Sequence, residues 1–417
     1  MYLRALRSIA FYPVFISVAF LLLAVVIRYI EEIKFVRTIQ EELPYLFIQD
    51  NETARTLLSV LIGGILSLTV FSFTMVMLVL NQASANFSPR LLPGLVSNKK
   101  HQVILGLYIG TLLYSILVLI SLGAYGIDSE SMGLSTTLAA VFGVVCVAVF
   151  VYFIHTISSA IQIQNIIERI YGNAVTALEN LDDHKKNSRI ALKTNDSVDW
   201  TEIMSVKSGY YQHFDTGLLS ENLYQVAHQI EILPYVGQHI WEGSPIIKSA
   251  KNLSEKEMTD LLYCIEMSPT RQVDNYATGG MVQLMEIAVK ALSPGINDPG
   301  TAIGVITQLG KLLVRCLERP RLFSELIKDG PMILIENNIP TTDLMRLVFQ
   351  PIRNYAKQDS AVLYELILVL KYAYGQNSGS KMAKAALQNE LNSLKYDITQ
   401  NISNPHDKSV LLRILEY

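Results

Sequence analysis

The sequence predicts an α-helical membrane protein with four transmembrane helices, followed by a mostly α cytoplasmic region that contains a small β module. Three observations carry this. Charged residues make up 17% of the 417 residues and the mean hydropathy is +0.30, whereas soluble domains carry about 25% charged residues. Four runs, near residues 9–27, 57–80, 103–122 and 134–154, each approach the roughly 20 apolar residues that a membrane helix needs. Beyond them, glycines and prolines recur at short spacing around 208–248 before helical periodicity returns.

Arg4 and Arg7 precede the first run, and no small-x-small cleavage site follows its long core, so an uncleaved anchor is expected. The segment 31–56 is acidic, with Glu31, Glu32, Glu41, Glu42, Asp50 and Glu52 against Lys34, Arg37 and Arg55. The segment 81–102 holds Arg90, Lys99 and Lys100 and no acid, while the loop from Gly126 to Gly133 has no Lys or Arg. The positive-inside rule then places both termini in the cytoplasm of a bacterial inner membrane.

The chain divides by composition into a four-helix transmembrane domain (1–155), a helical extension and linker (156–200), a small β module (201–250) and a helical cytoplasmic domain (251–417). The helical pattern of the fourth run continues through Ile170 without Pro or Gly, and residues 182–200 are polar enough to read as linker. In the β module, Ser208–Tyr211 reads as a strand and 218–228 as a short helix. The rhythm Val236-Gly237-x-x-Ile240-x-x-Gly243-x-Pro245-Ile246 resembles the barrel-sandwich module of membrane-fusion adaptors and biotinyl carriers. No lysine stands at a hairpin tip between methionines, so no attached cofactor is implied. Ser254 and Glu257 form a capping box, and further helices are expected at 280–292, 299–317, 342–357, 360–374, 380–399 and 406–415.

The second run carries Gly63, Ser67, Thr74, Asn81 and Ser88 at spacings of four and seven, which gives one helix face that is small or polar. In lipid such a face turns toward other helices or toward water. Ser67, Thr74 and Asn81, with His155 and Gln162 at the end of the fourth run, are therefore candidate pore-lining residues. A histidine titrates near neutral pH and can gate, although at an interface it also serves as a simple hydrogen-bonding group. Gly106-x-x-x-Gly110 predicts close helix packing. Arg90, Lys99 and Lys100 suit lipid headgroups, or anions at a cytoplasmic mouth.

Ser293–Ala302 reads Ser-Pro-Gly-Ile-Asn-Asp-Pro-Gly-Thr-Ala. Pro294-Gly295 would end one helix, Asp298 would cap the next and Pro299 would take its first position. The functional alternative makes Asn297, Asp298 and Thr301, with Arg271 and Asp274, contacts for a ligand or a neighbouring subunit. There is no Gly-rich phosphate loop, HExxH, GxSxG or paired Cys/His cluster, and Cys146, Cys264 and Cys316 are far apart. Neither catalysis, nor a metal, nor a cofactor gains support. The net charge of −3 gives no nucleic-acid signal.

The chain is similar to a widespread bacterial family of predicted membrane proteins of unknown function. The resemblance rests on Ala291-Leu292-Ser293-Pro294-Gly295-Ile296-Asn297-Asp298-Pro299-x-Thr301-Ala302. It extends to Asn86-Phe87-Ser88-Pro89-Arg90-Leu91, Phe153-Ile154-His155 and the Arg271…Asp274 pair, with Gly300 where the family pattern has phenylalanine. It implies topology and no activity. From the residues, the leading expectation is a homo-oligomeric channel or transport protein with a cytoplasmic vestibule, acting on an ion or small ligand. The alternative is a membrane-anchored scaffold or sensor that binds a ligand or protein through its cytoplasmic part.

Overall fold

A computed structural model describes residues 11–31, 50–86, 99–124, 133–160, 162–186, 199–225, 228–271, 276–327, 330–376 and 380–416, with a few isolated positions between 33 and 48. Its contacts group into two compact units, Met1–Asn165 and Ile166–Tyr417.

The first unit packs four long helices, α1 (Phe11–Glu31), α2 (Asn51–Asn86), α3 (Lys99–Ala124) and α4 (Gly133–Ala160). Small residues let their backbones approach, which is how helices associate where lipid removes the hydrophobic drive. A Cβ on Gly106 would stand 2.9 Å from Ile16, one on Gly110 would stand 2.9 Å from the Phe20 ring, and one on Gly143 would stand 2.5 Å from Leu61. Two apolar clusters lie among the described residues of the unit. One surrounds Leu58, Tyr114 and Leu122, and the other surrounds Ile65, Tyr108, Cys146 and Phe153.

The helices overrun their apolar windows because their ends are satisfied locally. Asp50 accepts from the Thr53 amide at 2.7 Å, so α2 starts at Asn51, and Arg55 donates to the Leu122 carbonyl at 2.9 Å. Glu31, Glu52 and Arg55 thus lie on helices, where the sequence reading put a loop. The expected unbroken helix through Ile170 is interrupted between Ala160 and Ile163. There Ser159 back-bonds to the His155 carbonyl, and its own carbonyl accepts from Asn165 Nδ2, a side-chain competition that bends helices.

The second unit starts within α5 (Ile163–Lys186) and, among the described residues, holds two small sheets. Strands β1 (Thr201–Met204), β5 (Pro245–Ser249), β3 (Gln229–Ile232), β8 (Ile333–Asn337) and β7 (Leu322–Leu326) form one sheet in that order. Strands β4 (His239–Ile240), β2 (Gly209–Phe214) and β6 (Ile265–Ser268) form the other. Gly237 and Gly243 take φ of +84° and +78° at the turns between β3, β4 and β5, as the glycine rhythm requires. The barrel-sandwich resemblance does not extend to topology. The larger sheet is open, β3 and β8 are parallel, and β6, β7 and β8 come from the region expected to be wholly helical. These strands are four or five residues long between helices, too short for a period-two pattern to stand out.

The helices of this unit are α6 (Glu221–Tyr224), α7 (Glu255–Tyr263), α8 (Ala277–Ala291), α9 (Pro299–Leu317), α10 (Thr341–Leu344), α11 (Gln350–Tyr355), α12 (Ser360–Gln376), α13 (Lys381–Asn401) and α14 (Pro405–Glu416). The Ser254–Glu257 capping box opens α7. A π-helical turn at Met345–Phe349 joins α10 to α11, next to Pro351, which has no amide to donate. Among the described residues, five helices are long and apolar enough to cross a membrane: α1 to α4, and α9 as the least apolar. Helix α9 buries Val305, Ile306, Leu309, Leu312 and Leu313, and a Cβ on its Gly310 would stand 2.6 Å from Val369 of α12.

Candidate functional site

The candidate pore residues lie on the outer surface of the first unit. Ser67 and Thr74 are exposed, and each hydroxyl donates to the carbonyl four residues back, Gly63 at 2.9 Å and Val70 at 2.8 Å. Asn81 is exposed on the same face, and Ser59 shares it. A Cβ on Gly63 or on Gly64 would meet nothing within 4 Å. His155 and Gln162 are exposed near the end of α4, where Gln162 Oε1 accepts from Asn165 at 3.3 Å. Lys99 and Lys100 are exposed at the start of α3, while Ser88, Arg90 and Asp274 lie outside the described residues.

The interior of the unit holds polar groups that the sequence reading did not single out. Glu31 is buried and accepts from the Ser135 amide at 2.7 Å and the Ser135 hydroxyl at 2.6 Å, at the start of α4. The Tyr114 hydroxyl donates to the Ser135 carbonyl at 3.2 Å. Further along α3, Ser115 back-bonds to Thr111, and the Thr111 hydroxyl is 3.5 Å from Cys146 Sγ. The available signal was the recurrence of Gln102, Tyr108, Thr111 and Ser115 in the third run, on a helix whose glycines marked it as the packed one.

In the second unit the Ser293–Ala302 stretch forms a tight corner between α8 and α9. Ser293 Oγ donates to the Lys290 carbonyl at 2.6 Å, and the Asp298 amide returns to the Ala291 carbonyl at 2.8 Å. Asn297 bridges them with φ of +50°, a left-handed conformation that asparagine tolerates better than most residues. Asp298 caps α9, accepting from the Thr301 amide at 3.0 Å and its hydroxyl at 2.6 Å, with Pro299 next in line. The Thr301 hydroxyl, then its amide, hold the Asp298 carboxyl below the usual carboxylate range. Asn297 and Asp298 are exposed. The structure therefore joins Asp298 to Thr301.

Arg271 has other neighbours. Its Nε donates to the Gly237 carbonyl at 3.1 Å, and its guanidinium lies 5.4 Å from the Tyr210 ring centre. A cavity of about 10 Å³ between Arg271, Tyr235, Gly237 and Tyr276 has room for one water at most. Burial, with Asp343 beside it, pushes the Tyr235 hydroxyl up to about 12. A larger cleft of about 420 Å³ lies between the end of α9 and the starts of α10 and α13, lined by Arg319, Arg321, Asn338, Thr341, Thr342 and Ser380 among others. That volume falls in the range of about 300–1,000 Å³ typical of small-molecule sites.

Residues 6–372 match the family described as "Predicted membrane protein (DUF2254)". Similar proteins include uncharacterized proteins of Mycobacterium bovis and of two strains of Mycobacterium tuberculosis. Each is 24% identical over 364 residues, covering 84% of this chain and 68% of the relative. No solved structure matches. The chain belongs to this predicted membrane protein family, and as a membrane protein it contacts the lipid bilayer.

Proposed function

We propose that this family member is a homo-oligomeric channel or transport protein of the bacterial inner membrane. In this reading α1 to α4 span the membrane, both termini are cytoplasmic, and the second unit serves as a vestibule or regulatory domain. The observation that carries it is the outward face of α2. A glycine in a helix interior costs about 1 kcal/mol relative to alanine, and a Cβ on Gly63 or Gly64 would meet no neighbouring atom within 4 Å, so no packing among the described residues accounts for either. Close approach by another copy supplies the missing reason for both. Around the resulting axis, Ser67, Thr74 and Asn81 line the path. The Ser67 and Thr74 hydroxyls are already bonded to their own helix, so these two make the wall polar without exposing unsatisfied donors to lipid. His155, Gln162, Lys99 and Lys100 then contribute to a cytoplasmic mouth. Ion flux from liposomes containing the purified chain tests this reading. Flux that depends on the α2 face is expected, and vesicles that stay sealed under varied pH, voltage and tension contradict it.

One observation favours a second reading, a membrane-anchored sensor: the cleft lined by Arg319, Arg321 and Thr342. It predicts that a phosphate- or carboxylate-bearing metabolite raises the melting temperature of the chain. It also predicts that Ser67→Asp disturbs assembly without altering any flux.

A further inference from the structure

The cleft of about 420 Å³ at the end of α9 has one wall that is pinned in place. The turn that carries Arg319 and Arg321 runs from α9 into β7. Asn338, just past β8, holds this turn twice. Its Nδ2 donates to the Pro320 carbonyl at 2.6 Å, and its amide donates to the Arg321 carbonyl at 2.8 Å. Both arginines thus stand on a backbone ordered in advance, which lowers the entropy cost of binding. Thr341 and Thr342 line the same cleft from the start of α10. The Arg321 guanidinium and both threonine hydroxyls have no partner among the described residues. Glu318 is the one carboxylate in the lining among the described residues, set against two guanidinium groups. Two guanidiniums with nearby hydroxyls suit a phosphate dianion, whose oxygens accept from several directions at once.

Arg319 also reaches α5, where its Nη2 donates to the Leu178 carbonyl. One turn earlier, Arg315 Nη1 of α9 pairs with Glu179 Oε1 at 3.2 Å, on the exposed side. These two arginines tie the end of α9 to α5, the helix that follows α4 in the chain. The Leu178 carbonyl lies inside α5, which runs on to Lys186. There it is already the acceptor for the amide four residues ahead, so it loses little when Arg319 turns away. A phosphate oxygen offers Arg319 an attraction between opposite charges that a neutral carbonyl cannot match.

Building on the second reading, we propose that the cleft takes a phosphorylated small molecule and that Arg319 exchanges the Leu178 carbonyl for its phosphate. Occupancy then loosens α5 from the end of α9. Arg321 and the two threonine hydroxyls hold the phosphate, and Arg319 passes its presence on to α5. The ligand thereby acts on the helix that continues from α4. The coupling is reciprocal, so a chain with α5 released binds the phosphate more tightly.

The test uses the full chain in detergent, with pyrophosphate as the probe at constant ionic strength. Binding is read from the melting temperature, and the hold on α5 from hydrogen–deuterium exchange of its C-terminal half. In wild type, pyrophosphate is expected to raise the melting temperature and to speed exchange in α5, while chloride does neither. Arg321→Gln is expected to weaken the response to pyrophosphate by about tenfold and to leave α5 exchange without the probe unchanged. Arg319→Gln is expected to show fast α5 exchange without the probe and no further change with it. Binding that leaves α5 exchange unchanged, or slows it, overturns the exchange of partners and leaves the second reading standing. Wild-type α5 exchange in probe-free Arg319→Gln does the same. No response of wild type to pyrophosphate, or an undiminished response in Arg321→Gln, overturns the proposal and the second reading together.

Discussion

Helices α2 and α3 both carry a stripe of small and polar residues, and the fold turns the two stripes in opposite directions. On α2, Ser67, Thr74 and Asn81 look outward, and the Ser67 and Thr74 hydroxyls are satisfied by their own helix. On α3, Tyr108, Thr111 and Ser115 look inward, and Tyr108 keeps an orphaned oxygen. The glycines divide the same way. Gly106 and Gly110 lie hard against α1, while Gly63 and Gly64 meet nothing. Periodicity identifies a polar face, and only the neighbours determine whether it faces the interior or the surroundings.

The sharpest way to break this comparison is to add bulk at one glycine of each kind. Gly110→Leu forces a side chain into the Phe20 ring, at an overpacking cost of about 1–3 kcal/mol or more. The yield of monodisperse protein in detergent is expected to fall. Gly63→Leu should leave that yield intact and instead abolish cross-linking between copies in native membranes. Equal damage from both substitutions would show that the outward face is packed after all.

Asp298 sharpens the same point in the second unit, because its polar atoms are used by its own helix. Asp298→Ala is expected to cost about 1 kcal/mol of stability, the usual worth of a helix N-cap, measured by thermal denaturation. The folded carboxyl is held below its ordinary value. Its contribution is therefore present above the unfolded carboxylate pKa and is lost as pH falls through the lower folded one. The difference between wild type and Asp298→Ala should shrink only in acid. A full-sized difference that persists below the folded value would contradict the cap.

A smaller effect separates a wet interior from a dry one. Removing an orphaned hydroxyl from a dry core should stabilise by about 1–3 kcal/mol. Tyr108→Phe is therefore expected to raise the melting temperature. No gain would mean that water reaches the Tyr108 hydroxyl.

The sequence already gave away much of the architecture. All four long helices, the Gly237 and Gly243 turns, the Ser254 capping box and the Asp298 cap have local signatures, and each forms where those signatures place it. What escaped depends on distant partners. Strands β7 and β8 join a sheet begun some 100 residues earlier, and nothing within five residues announces that pairing. Glu31 reads as a loop acid until Ser135 of another helix is brought to it. Only spatial neighbours show that the Asp298 corner and Arg271 make separate contacts.

The outward face of α2 as the wall of a conducting path is most directly tested by thiol modification during flux. Thr74→Cys places a thiol on the exposed stripe, with native Cys146 and Cys264 buried and Cys316 removed by substitution to serine. A positively charged, membrane-impermeant thiosulfonate added to conducting liposomes is expected to change ion flux through Thr74→Cys and leave its parent unaffected. Modification confirmed by mass with no change in flux, or a thiol that lipid keeps out of the reagent's reach, would contradict the account.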